Sequence, residues 1–285
     1  MKHWLTVHCL CLTLLVSAWF VAPAYSADVT VGLLAGSNNL GEVEEAAYEW
    51  AEDNFQAKTL LVDKLGNFKS NGGTAMQPEA FSVLWMFYTE TNTLPDPFLA
   101  DATKKAVLNY VEAGGGVFLS ALALRYVMEL DVEKGGDPRV FGPLGKEPPE
   151  IGVIPTADGK NHPVFKGFDT SKPVFLTSMA QDRFTSDFFN FGQDPEGTIL
   201  GTKTRGGGAG GGERPFVEYE VGDGVIITLG HHNGVYTDAK SEEGENLRNL
   251  TANVLNYLGE NSAFFAVEPS GKLATTWGDL KALSK

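Results

Sequence analysis

Cysteine is almost missing from this chain: Cys9 and Cys11 are the two it has, and both fall within residues 1–26. Those residues read as an export signal. Lys2 and His3 open it, Leu10 to Val21 supply a short apolar core, and Ala24-Tyr25-Ser26 gives a small-x-small cleavage pattern. With that segment removed, the mature chain holds no cysteine. Disulfides, thiolate nucleophiles and cysteine-based zinc sites are then excluded, and stability has to come from core burial. Long apolar runs are scarce as well. The Leu10–Val21 core is short for a membrane span of about 20 residues, and no later segment is long and apolar enough to cross a bilayer. The mature protein is therefore expected to be exported, to the periplasm or the outside, with no membrane span.

Positive charge is the third shortage. Lys and Arg number 22 against 36 Asp and Glu, a formal net charge of -14. No cluster of Lys or Arg stands out, so a nucleic-acid partner is disfavoured. What remains is an acidic chain with 43% hydrophobic residues, enough to bury a core for one domain of roughly 200–250 residues. The expected division is a signal at 1–26, an α/β domain at 27–260 and a tail at 261–285.

The order of elements carries the fold class. Asp28 to Leu34 alternates and is β-branched, as a first strand should be, and a turn-rich loop from Ala35 to Gly41 follows. Glu42 to Phe55 has Val43, Ala46, Ala47, Trp50 and Ala51 at helical spacing, with acids in its first turn. Thr59 to Val62 reads as a second strand. Phe81 to Tyr88 is a near-continuous apolar run, the pattern of a strand buried on both faces of a parallel sheet; Trp85 and Phe87 in it belong to the core. Asp101 to Ala113 is a second amphipathic helix, ended by Gly114-Gly115-Gly116, then a strand at Val117 to Leu119 and a short helix at Ala121 to Leu130. Alternating strands and helices imply right-handed βαβ units. The stretch from Asp131 to about Asp194 is rich in Pro, Gly and Asp, with strands at Ile151–Ile154 and Val174–Leu176. Strands at Thr198–Lys203 and Pro215–Val221 flank a glycine-rich surface loop, Gly206 to Gly212. Gly222-Asp-Gly224 is a hairpin turn that pairs Pro215–Val221 antiparallel with Val225–Leu229. Glu245 to Leu258 closes the domain as a helix.

Polar groups appear abruptly at the C-terminal ends of two apolar strands: Ser120 after Gly114-Gly-Gly-Val-Phe-Leu, and His231, His232 and Asn233 after Val225-Ile-Ile-Thr-Leu-Gly. Ligands of open α/β sheets bind in the crevice beyond such strand ends, so these residues are expected to share a cleft. Asn38, Asn39 and Glu90, just past the first and third strands, would add hydrogen bonds for a polyol, although Asn is also ordinary turn chemistry. Arg125 either pairs with Glu129 at i+4 or reaches the cleft. Ser120 lacks the flanking glycines of a G-x-S-x-G elbow, which favours a polar or capping residue over a nucleophile. One imidazole could act as general base, or could join His162 and a carboxylate such as Asp182 or Glu213 on a metal. No HExxH or comparable spacing supports that, so neither a metal nor another cofactor is expected. The glycine-rich loop lacks a G-K-[ST] ending and precedes a strand, so it is no phosphate cradle.

Phe81–Tyr88, Tyr110-Val-Glu-Ala-Gly-Gly-Gly116 with Val117–Ser120, His162-Pro-Val-Phe-Lys-Gly167 and Gly222-Asp-Gly-Val-Ile-Ile-Thr-Leu-Gly-His231 stand in an order and spacing that resembles a known group. It is the ThuA-like (trehalose-utilisation) branch of the class I glutamine-amidotransferase-like superfamily, over about Asp28 to Leu258. The resemblance implies a flavodoxin-like three-layer sandwich, its sheet mostly parallel with an antiparallel C-terminal hairpin, and a link to carbohydrate metabolism. It also implies a Cys at the elbow and a His-x-Glu after a later strand in the amidotransferases. This chain has Ser120-Ala121 and His231-His232-Asn233 in those regions, so glutamine hydrolysis is not expected; nor is the His that ThuA-like proteins commonly carry at the elbow present.

Three functions follow as expectations. The first is an exported domain that binds a carbohydrate or related polyol through Asn38, Asn39, Glu90, Ser120, His231 and His232. The second is a hydrolase or sugar-modifying enzyme using His231 or His232 as base, with or without the help of a metal. The third is an assembly module whose protein partner is met by the tail, where Lys272-Leu-Ala-Thr-Thr-Trp277 could add to a sheet edge.

Overall fold

A computed structural model describes residues 29–135, 138–141, 151–177, 185–189, 194–204, 213–230, 236 and 240–265. The chain enters the sheet with β1 (Thr30–Ala35), turns into α1 (Glu42–Asn54) and returns as β2 (Gln56–Val62). A small hairpin, β3 (Phe68–Lys69) and β4 (Ala75–Met76), extends that edge. β5 (Val83–Tyr88) leads through α2 (Asp96–Leu99) and α3 (Asp101–Glu112) to β6 (Gly116–Ala121), a 3-10 turn at Leu122–Arg125 and α4 (Tyr126–Glu129). Then come β7 (Pro138–Phe141), β8 (Ile151–Pro155), β9 (Val174–Thr177), β10 (Thr185–Phe189), β11 (Thr198–Thr204), β12 (Glu213–Arg214), β13 (Phe216–Val221), β14 (Gly224–Leu229) and α5 (Glu242–Asn261).

Eleven strands form one sheet in the order β4-β3-β2-β1-β5-β6-β14-β13-β11-β8-β9. Its centre, β2-β1-β5-β6-β14, is parallel, and antiparallel strands extend both edges. The expected hairpin is there, with Val217 opposite Thr228 and Val221 opposite Gly224. β12-β10-β7 form a second, three-stranded sheet.

Period-two alternation divides the core in two. Val31, Leu33, Trp85, Phe87, Phe118 and Ile227 face one side, where Ala47 and Ala51 of α1 and Leu247, Leu250 and Val254 of α5 meet them. Leu34, Leu84, Met86, Val117, Leu119 and Ile226 face the other, against Val107, Tyr110 and Val111 of α3. The result is three layers. Trp85 is fully buried and stacks on Phe118 with ring centroids 5.7 Å apart. Gly114 takes the positive φ expected at the end of α3. The first tail residues hold to the body, with Ala263 N–H donating to the Gly114 carbonyl at 2.8 Å and Phe264 stacked on Tyr110. No helix among the described residues is long and apolar enough to cross a membrane.

Candidate ligand site at the switch point

β2 lies on one side of β1 and β5 on the other, so the chain reverses its winding direction between β1 and β5. The loops leaving those two strands part toward opposite faces, α1 covering one and α3 the other. A crevice therefore opens at their carboxyl ends, the place where doubly wound sheets take ligands. A cavity of about 220 Å³ occupies it. Gly36, Ser37, Asn39 and Leu40 wall it from the first loop, Glu44 and Tyr48 from α1, and Met86, Phe87, Tyr88 and Glu90 from β5 and its exit. Pro95 and Phe98 close it.

Glu44 dominates the chemistry. It sits on the inward stripe of α1 with Ala47, Tyr48 and Ala51 and is only 4% exposed. Its carboxylate accepts the Thr89 N–H at 3.0 Å and the Gly41 N–H at 3.3 Å. Burial pushes its pKa from the ordinary 4.5 up to about 7; those two hydrogen bonds pull it down, and the charge of Glu90 adds to the rise. Tyr48 donates its hydroxyl to the Leu34 carbonyl at 2.6 Å, and burial raises its pKa too. The N-terminus of a helix ordinarily attracts an anion. Here Glu44 already fills that role, and among the described residues no Lys, Arg or His lines the cavity.

The structure divides the residues singled out in the sequence. Asn39 and Glu90 line the cavity. Asn38 faces a neighbouring depression with Glu45, Glu49 and Glu52. Arg125 donates to the Asn92 carbonyl at 3.3 Å and so braces the loop after β5, while its expected partner Glu129 lies 3.8 Å from Lys104. Ser120 does not reach the cavity. It is fully buried; its hydroxyl accepts the Trp85 indole N–H at 2.8 Å and faces the Met86 carbonyl at 3.4 Å. The reason is register: Ser120 shares the inward face of β6 with Phe118. His231, His232 and Asn233 lie outside the described residues, as do Asp182, the Gly206–Gly212 loop and Lys272–Trp277. Glu44 escaped the sequence reading. Its signal was a carboxylate standing three and four residues before the inward Ala47 and Tyr48.

The residue after Ser120 holds a different surprise. Ala121 has φ 57° and ψ −127°, a conformation that costs a non-glycine residue about 1–3 kcal/mol. Nucleophile elbows are built on such sharp strand-to-helix turns, yet the apex here carries only a methyl group. The second sheet covers it. Ser186 of β10 donates its hydroxyl to the Ala121 carbonyl at 3.3 Å and its N–H to the Gly230 carbonyl at 3.1 Å. Gly230 permits this approach, since a Cβ there would stand 2.2 Å from the Ser186 carbonyl oxygen. Among the described residues, the ends of β6 and β14 are thus covered, whereas a cavity opens at those of β1 and β5.

Two other polar groups are structural. His162 accepts the Val164 N–H on Nδ1 at 3.4 Å and turns Nε2 toward Glu218 at 3.4 Å, with both ring nitrogens engaged and Tyr257 packed against its ring. Glu218, bound also by the Tyr257 hydroxyl, is held below its ordinary pKa. Buried Lys203 lies 3.9 Å from Glu213. No group of three or more His, Cys, Asp or Glu among the described residues is arranged to hold a metal ion.

No protein-family model matches the chain, and no curated protein does. Solved structures of similar shape exist. A cytoplasmic protein of Salmonella typhimurium LT2 aligns over 81% of this chain and 99% of its own with a TM-score of 0.50 and 10% identity; at that identity the likeness shows the fold alone. A putative ThuA-like protein from Bacteroides uniformis ATCC 8492 covers 85% of this chain and 97% of its own, at 16% identity and a TM-score of 0.47. PurLQS from Thermotoga maritima covers 81% and 99%, at 12% identity and a TM-score of 0.48. ThuA-like proteins are thus among the structures of similar shape.

Proposed function

We propose that this chain is an exported ThuA-like domain that binds an unphosphorylated carbohydrate or related polyol in the switch-point cavity, without covalent chemistry. One observation carries the reading: among the described residues, the crevice between β1 and β5 is walled by carboxylates, an amide and aromatic rings, and by no cation. Carboxylates only accept hydrogen bonds, and a polyol offers a row of hydroxyl donors to match Glu44, Glu90 and Asn39. Tyr48, Phe87, Tyr88 and Phe98 supply the apolar faces a small-molecule site needs. A phosphate would meet Glu44 where a helix N-terminus normally receives it. The cavity, at about 220 Å³, is smaller than the roughly 300–1,000 Å³ of pockets for drug-sized ligands, which suits a single ring. The elbow supports a non-covalent site, since its apex is the methyl of Ala121 beneath Ser186.

Thermal unfolding of the purified protein against glucose, trehalose, sorbitol and glucose 6-phosphate tests the reading. A ligand at a hundred times its Kd adds about 2.7 kcal/mol, which raises Tm by roughly 5–10 °C for a domain of this size. Saturable shifts with one or more unphosphorylated compounds and none with the phosphate are expected. A flat panel, or preference for the phosphate, would refute it.

A further inference from the structure

Resting on the polyol reading and going beyond it, we infer that the switch-point cavity interconverts the anomers of a reducing sugar, with the Glu44 carboxyl as its catalytic residue. One side chain is placed for the task. Glu44 is only 4% exposed and still walls the cavity. Both loops that bound the crevice hold it: the Gly41 N–H, beyond β1, reaches Oε2 at 3.3 Å, and the Thr89 N–H, beyond β5, reaches Oε1 at 3.0 Å. A carboxyl has about four acceptor positions, so each oxygen keeps one for a ligand. Two backbone donors from opposite walls fix the group in place before any ligand arrives, the preorganisation a proton-transfer group needs.

A site that only received hydroxyl protons would be served by an ionised carboxylate open to water. Burial works against that form and brings Glu44 near neutrality, at about 7, where a general acid or base is most effective. The neutral carboxyl offers a donor and an acceptor on one carbon. A sugar answers with the same pair at its anomeric carbon alone, which carries a hydroxyl and the ring oxygen together.

The step balances without a second reagent. The carboxyl O–H gives its proton to the ring oxygen as the bond from that oxygen to the anomeric carbon breaks, the electron pair staying on the oxygen. The other carboxyl oxygen takes the proton of the anomeric hydroxyl, whose electrons form the aldehyde double bond. Glu44 is left neutral, its proton moved from one oxygen to the other. Rotation of the aldehyde and the reverse step close the ring on the opposite face. No bond to the protein forms. The titratable groups around Glu44 are Glu90, whose charge adds to its rise, and Tyr48 and Tyr88, both raised by burial above their ordinary 10.0 and so neutral throughout.

Polarimetry of freshly dissolved α-D-glucose, α-D-galactose and α-D-xylose, with and without the purified protein in one buffer, tests this. At least one sugar should equilibrate with a kcat about 10²–10⁴-fold above the buffer rate. The protonated carboxyl is the active form, so kcat should be level below about pH 7 and fall above it, by about tenfold per pH unit. Glu44→Gln should lower kcat at least about fiftyfold while KM moves less than about fivefold. A variant that keeps the wild-type kcat would remove Glu44 from the reaction. Should the variant fail to fold, the wild-type profile decides alone, and a kcat that climbs through pH 7 overturns the proposal. Buffer rates with every sugar end the activity; thermal shifts with glucose, or with sorbitol and trehalose, which have no free anomer, would then leave the polyol reading standing. No shift with any of them sinks both.

Discussion

Glu44 should make the protein less stable as pH rises from about 4.5 to about 7, against the usual behaviour of carboxylates. In the unfolded chain this group titrates near its ordinary 4.5, in the folded protein near 7. Between those values the folded state binds more protons, so raising pH favours unfolding. The stabilisation is complete below pH 4.5 and gone above pH 7. Two and a half units at about 1.4 kcal/mol each give about 3.5 kcal/mol. Urea unfolding of wild type and Glu44→Gln at pH 4.5, 5.5, 6.5 and 7.5 reads this directly. The glutamine carbonyl can hold the Thr89 N–H, but its amide turns a donor toward the Gly41 N–H, so the variant should be weaker by about 1 kcal/mol at pH 4.5. At pH 7.5 the order should reverse, with the variant about 2.5 kcal/mol the more stable. The groups facing Glu44, namely Glu90 beside it and Tyr48 and Tyr88 along the cavity, remain in both proteins. So do Asp63 and Asp169, whose lowered pKa values act with the opposite sign. Their contributions cancel in the comparison. A wild-type to variant difference that stays constant across pH would refute the argument.

Two further substitutions separate structural from ligand-binding roles. Ser120→Ala removes the acceptor of a buried indole N–H, which should cost about 1–3 kcal/mol and lower Tm by roughly 3–10 °C. Ligand titrations should be unchanged, whereas lost binding at unchanged Tm would show that the serine acts in a site after all. Gly41→Ala meets only the end of a flexible side chain at Glu90, so stability should change by less than about 1 kcal/mol. Affinity for whichever polyol binds should nonetheless fall, because the new methyl displaces the Glu90 carboxyl from the cavity wall; an affinity that survives would remove Glu90 from the site.

Elements with strong periodicity were legible in advance. The run Phe81–Tyr88 is buried on both faces as β5, because its neighbours β1 and β6 flank it and helices cover each side. The stripe in α1 and the Gly222–Asp223 turn were equally plain, since local geometry suffices to specify them. The hairpin β3-β4 and the strands β7, β10 and β12 were not. They are two to five residues long, and β10 buries Ser186 and Asp187, so nothing in their composition distinguishes them from loop. At the site, Asn39 and Glu90 could be placed by their position after strands. Ser120 satisfied the same rule and fails it in space, because a residue at a strand's last turn faces core or crevice according to register and to what covers the end.

Sequence alone determined the parts that depend on near neighbours: a cysteine-free α/β domain, the parallel centre with its antiparallel hairpin, and polar groups at the carboxyl ends of the strands. Only tertiary structure decided which strand ends along that rim are covered among the described residues. The packing of β10 over β6 and β14 closes one crevice through contacts 65 residues apart in sequence, and the reversal between β1 and β5 opens the other. Glu44 acquires its character the same way: a carboxylate in a first helical turn is ordinary until a strand from elsewhere in the chain takes it out of water.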